Sequence, residues 1–71
     1  MANDELKQGD WVTWRTPQGD THGVVVRRVT GDARAGGHVA HASAAEPQYE
    51  VRSDKTGKTA IHHPGALRRR S

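Results

Sequence analysis

The sequence predicts an all-β protein, a small barrel of four to five short antiparallel strands, and three observations carry that prediction. Short runs of β-branched and aromatic residues alternate with polar ones, as half-buried strands do. Gly, Pro and Asp clusters punctuate the chain between those runs. A Pro-led segment near the end, Pro64 to Leu67, suits a single 3₁₀ turn that sets an apolar side chain on the open end of a barrel.

The first run is Trp11 to Arg15, W-V-T-W-R, where a period of two puts Val12 and Trp14 on one face and Trp11 and Thr13 on the other. Thr16-Pro17-Gln18-Gly19-Asp20 then makes a turn, because Pro17 pre-sets φ at the first corner and Gly19 accepts the positive φ that closes a hairpin. The second strand spans Thr21 to Val29, with Val24 and Val26 expected inward and Val25 and Arg27 outward. Gly23 marks a bulge or a close backbone crossing. Residues 30–46, with small side chains and three glycines, read as a long mobile loop with at most a short helical turn at His41 to Ala45.

Gln48 to Ser53 alternates again, with Tyr49, Val51 and Ser53 on one face. Asp54-Lys55-Thr56-Gly57 turns the chain into a short strand, Thr59 to His62, and Gly57 suits a left-handed position there. Residues 1–8 read as a frayed arm, residues 9–67 as the barrel, and residues 68–71 as a basic tail that leaves the fold. The expected core gathers Val12, Trp14, Val24, Val26, Val51, Ile61 and Leu67. This strand and turn pattern is that of SH3-like barrels.

Size and charge bound the rest. A chain of 71 residues makes one domain that buries about 60% of its unfolded surface. With no cysteine, disulfides and thiolate chemistry are excluded, and with no apolar run near the ~20 residues of a membrane span, a cytoplasmic protein is the simplest expectation. The net charge of +3 is uneven: residues 1–20 carry −2 and residues 21–71 carry +5, which favours an anionic partner.

Three stretches carry a family resemblance. Lys7-Gln8-Gly9-Asp10-Trp11-Val12-Thr13-Trp14, His22-Gly23-Val24-Val25, and Pro47 to Lys58 (P-Q-Y-E-V-R-S-D-K-T-G-K) followed by Ala60, His62 and Pro64 to Leu67 together resemble the small hypervirulence-associated Tudor-domain family over about residues 7–68. The resemblance implies a Tudor-like barrel and no established ligand or catalytic residue. One departure stands out: where members usually carry a Lys-rich segment before the Pro-Gln-Tyr block, this chain has the Ala, Gly and His run from Ala33 to Ala45.

Two sets of residues are candidate binding elements. Trp11, Trp14 and Tyr49 are the only aromatics, and such barrels can use rings to hold cations, although Trp14 and Tyr49 share the inward register and serve equally as core. Arg27, Arg28, Arg52, Lys55, Lys58, Arg68, Arg69 and Arg70 could form a phosphate-tracking surface or simply a solvated charged face, with Glu50 and Asp54 blunting their field.

Other motifs carry little. Gly57-Lys58-Thr59 lacks the glycine five positions earlier that a phosphate loop needs, since Arg52 stands there. His38, His41, His62 and His63 do not converge as metal ligands, His62 suiting a partly buried partner for a carbonyl or Glu50. Ser43, Ser53 and Ser71 have no readable base and acid, so neither metal, cofactor nor catalysis is expected. The expectation is therefore a non-catalytic module that binds a protein segment or assembly through the surface around Trp11, the Pro17 turn and Tyr49. The alternative is weak, sequence-independent nucleic-acid binding through the basic surface, and a third reading is self-association through unpaired barrel edges.

Overall fold

In the computed structural model, which describes residues 6–35 and 37–70, five strands form one antiparallel sheet and two more form a small hairpin. In chain order they are β1 (Trp11–Thr16), β2 (Gly19–Val29), β3 (Ala33–Ala35), β4 (His38–Ala40), β5 (Gln48–Ser53), β6 (Thr59–His62) and β7 (Arg68–Arg69), with a 3₁₀ turn at Pro64–Ala66 before the last. The large sheet runs β6-β5-β2-β1-β7. Leu67, beside one edge strand, and Ala60, on the other, pack into the same cluster, so the sheet curls on itself as an SH3-like barrel does.

Local chemistry explains the turns. Between β1 and β2 the Thr16 hydroxyl donates to the Gly19 carbonyl (2.8 Å) and accepts from the Gln18 N–H (3.2 Å), while Gly19 takes φ +114°. Between β5 and β6 the Gly57 N–H donates to the Ser53 carbonyl (2.8 Å) at φ +76°, a left-handed geometry that disfavours a side chain. Pro64 opens the 3₁₀ turn, and the Leu67 N–H donates back to its carbonyl (3.1 Å), which swings Leu67 into the core.

The core cluster is Leu6, Val12, Trp14, Val25, Tyr49, Val51 and Leu67. Each apolar side chain fully withdrawn from water contributes about 1.5–3 kcal/mol before entropy is counted. Leu6 thus belongs to the body of the protein rather than to a frayed arm: its N–H donates to the Tyr49 hydroxyl (3.4 Å), and the next residue, Lys7, donates its N–H to the Asp10 carboxylate (2.8 Å). Residues 1–5 of the expected arm lie outside the described residues.

The valine run has the opposite phase to the expected one. Val25 is 1% exposed and Val24 and Val26 are only half-buried, because Gly23, not Val24, faces inward. A Cβ at Gly23 would fall onto the Arg52 carbonyl oxygen and 2.8 Å from Cη2 of Trp14, so the close crossing is here. The bulge lies further on: the β2–β5 register shifts between Val25 and Arg27, leaving Val26 without a partner. Ile61 is likewise turned out of the core, since it stands opposite Glu50 while its neighbours Ala60 and His62 face inward opposite Val51 and Tyr49.

Residues 30–46 are not an unstructured loop. β3 and β4 pair around Gly37, which takes φ +82°, and Ser43 and Glu46 exchange backbone hydrogen bonds (3.1 and 3.2 Å) where a helical turn was expected. Past the bulge, Val29 and Gln48 stand opposite one another on the outer face and are both buried. There the Gln48 side-chain amide donates to the His41 carbonyl (2.9 Å), tying the segment after the hairpin to the sheet.

The expected basic tail is also part of the sheet. Arg69 pairs with Val12 and Arg68 with Thr13, and the Arg70 N–H donates to the Trp11 carbonyl (2.8 Å). The Arg69 guanidinium reaches the Asp10 carboxylate (3.2 Å), which fastens this short edge strand to the start of β1. Charged side chains on a two-residue edge also discourage further strand addition. Ser71 lies outside the described residues.

Candidate functional site: the outer face of the sheet

Strand alternation and register determine what the open side of the sheet presents. Val12 and Trp14 turn inward, so Trp11, Thr13 and Arg15 turn outward. Residues directly opposite on neighbouring strands share a face. One line across the sheet therefore reads Arg70, Trp11, Val24, Arg52, Thr59, from β7's end to β6. The next line reads Arg68, Thr13, His22, where the Thr13 hydroxyl and His22 Nδ1 are hydrogen-bonded at 2.8 Å and the Asp54 N–H donates to the His22 carbonyl. Arg15 and Asp20 close that end with a 3.6 Å ion pair.

At the other end the line holds Arg27, Glu50 and Ile61. Arg27 Nε lies 2.6 Å from the Glu50 carboxylate, so its charge is matched. The ion pairs of Asp10 with Arg69, Asp20 with Arg15 and Glu50 with Arg27 occupy three of the nearby carboxylates, whereas Arg52, Arg68 and Arg70 are exposed and carry no ion pair among the described residues. The open end of the face is consequently cationic, with Asp54 near it and the Arg15-paired Asp20 lining a concavity with Arg68.

The two candidate sets are thus redistributed. Of the aromatics, Trp14 (5% exposed) and Tyr49 (2%) are core side chains, and only Trp11, at 47%, meets solvent. Among the described residues Trp11 has no ring contact, so no aromatic cage is completed around it. Of the basic residues, Arg52, Arg68 and Arg70 share the face of Trp11, and Arg27 shares it as a matched charge. Arg28 stands opposite Tyr49 and Arg69 opposite Val12, on the other side of the sheet. Lys55 and Lys58 belong to the β5–β6 segment, Lys55 beside the Pro17 turn.

The expected surface joining Trp11, the Pro17 turn and Tyr49 is accordingly not one surface. Trp11 and Thr16 begin and end β1, about 17 Å apart at 3.3 Å per residue, and Tyr49 faces the core. What sequence reasoning missed is that the last strand sets Arg70 beside Trp11 and Arg68 beside Thr13. The available signal was the alternation of three arginines directly after a turn that docks Leu67, which is the pattern of a charged edge strand.

A second concavity lies between the β3–β4 hairpin and β6, lined by Val39, His41, Ile61, His62 and His63. His62 is partly buried as expected, but its ring leans on Trp14, with centroids 5.8 Å apart, and of the two partners expected for it, a carbonyl or Glu50, Glu50 pairs instead with Arg27. Burial lowers the His62 pKa below its usual 6.5, and the adjacent His63 lowers it further. Among the described residues no three His, Cys, Asp or Glu side chains gather as a metal site.

Comparison with known proteins agrees with this architecture. The family described as "Hypervirulence associated proteins TUDOR domain" matches residues 9–67, which covers all five strands of the large sheet except β7. Neither the curated proteins nor the solved structures return a match. With most of the chain matched, and with the curled antiparallel sheet in place, the protein belongs to the hypervirulence-associated Tudor-domain family.

Proposed function

We propose that this protein is a non-catalytic interaction module that takes its partner on the outer sheet face centred on Trp11. The observation that carries the reading is the position of that indole: 47% exposed on the first line of a rigid sheet, with Val24 opposite it and the Arg52 and Arg70 positions on the same line. Aromatic and arginine side chains on a preformed surface are the usual anchors of binding energy. Membership in a Tudor-type family supports an interaction role.

The surplus of positive charge at Arg52, Arg68 and Arg70 calls for an anionic partner, either an acidic protein segment or a nucleic acid. The Thr13–His22 pair does not argue for catalysis, because it lies on an open face whose His22 is exposed to water, where a nucleophile gains little activation. The test is capture of partners from lysate by the wild-type protein, Trp11→Ala and Val39→Ala, the last altering the other large exposed apolar residue. Trp11→Ala, folded by circular dichroism, loses partners that Val39→Ala retains; identical profiles for all three would refute the reading.

A further inference from the structure

Resting on that reading, we infer that the partner of the Trp11 face is single-stranded nucleic acid, bound without sequence preference by one base stacked on the indole and phosphates held by Arg52, Arg68 and Arg70. Three features of the face favour this chemistry over an acidic peptide.

The first is the combination of groups. The arginines serve an acidic peptide and a nucleic acid alike, but the indole adds a sequence-tolerant platform for the latter, because every nucleobase offers a π-face that stacks on an aromatic side chain whereas an acidic peptide meets it only where it carries an apolar residue. The second is spacing. Neighbouring strands lie about 4.8 Å apart, so along the sheet Trp11 is one strand from Arg70 and two from Arg52, and the two arginines are separated by about 14 Å. A ring flanked on both sides by cations suits a strand whose charges run along its backbone on either side of a projecting base.

The third is access. The β3–β4 hairpin and the segment after it engage the far part of the outer face, at Val29 and Gln48, while Trp11 and Arg52 stay exposed. An exposed indole on an open face admits an unpaired base directly. In a duplex the same base is stacked within the helix and cannot reach the indole, so single strands are preferred over double strands.

The experiment is a fluorescence and salt titration of the full chain with a short oligothymidylate, the same length of abasic oligonucleotide, a duplex of equal length, and polyglutamate. The oligothymidylate is expected to quench the exposed tryptophan, and Trp11→Ala, whose remaining Trp14 is buried, to abolish the quenching. Binding to the abasic strand and binding by Trp11→Ala are each expected to be about 10-fold weaker. With three phosphate contacts the log–log salt slope should be about −2, falling in magnitude by about 0.7 in Arg52→Ala.

Equal affinity for abasic and base-bearing strands, or tighter binding of the duplex, would overturn the inference. Polyglutamate bound more tightly than the oligonucleotide, and lost in Trp11→Ala or Arg52→Ala, would overturn it while leaving the outer face as the binding surface. Insensitivity of every ligand to both substitutions would overturn the face as well. Arg52→Ala removes an exposed side chain, so it tests the site even if Trp11→Ala should fold poorly.

Discussion

Replacing Gly23 by Ala is the sharpest test of the packing that positions the binding face. The added Cβ falls onto the Arg52 carbonyl oxygen of the neighbouring strand, with the Arg52 carbonyl carbon and Trp14 Cη2 each 2.8 Å away. Two of these three obstacles are backbone atoms, held in place because Gly23 pairs with Ser53 and Val24 with Arg52. Neither strand can move aside without breaking that ladder, so the cost belongs at the upper end of the overpacking range, about 3 kcal/mol. A chain of this length has a total stability of about 4–10 kcal/mol. At about 4–8 °C per kcal/mol, the midpoint should fall by about 12–24 °C. Thermal unfolding followed by circular dichroism measures this, with Gly31→Ala as the reference, since a Cβ there meets nothing within 4 Å. A Gly23→Ala protein that melts within about 2 °C of the wild type would refute the close crossing.

Two further predictions follow from the core and from His62. Leu6→Ala should cost about 2–3 kcal/mol, because Leu6 is buried in the main cluster; a urea midpoint unchanged from the wild type would show that it does not dock. Since the folded pKa of His62 lies below its unfolded value of 6.5, the unfolded chain binds the extra proton, and the stability owed to a neutral His62 is complete above pH 6.5 and is lost as pH falls below it. Midpoints measured from pH 7.5 to 5 should therefore decline more steeply in the wild type than in His62→Gln, and parallel curves would contradict the assignment.

Much of the fold was legible in the chain. The W-V-T-W-R and Q-Y-E-V-R-S alternations gave β1 and β5 their faces, Pro17-Gln18-Gly19 and Asp54 to Gly57 gave the two hairpin turns, and Pro64 announced the turn that docks Leu67. The binding face was only half legible. Trp11 was readable as an outward residue from its own strand, but its neighbours come from β2, β5 and the end of β7, which local sequence does not align.

What the sequence determined by itself is everything set by nearest neighbours along the chain: strand alternation, the conformations glycine and proline impose at turns, and the charge and aromatic inventory. Tertiary structure alone decided the phase of Val24-Val25-Val26, because three successive valines are equivalent to any local pattern and only the Trp14 ring and the Arg52 carbonyl, closing over Gly23, choose which one turns inward. It also decided that Arg68 to Arg70 continue the sheet and that residues 33–40 form a hairpin, since backbone groups commit to a ladder only when a partner strand is already beside them. Register between distant strands is what brought Arg52 and Arg70 to either side of Trp11.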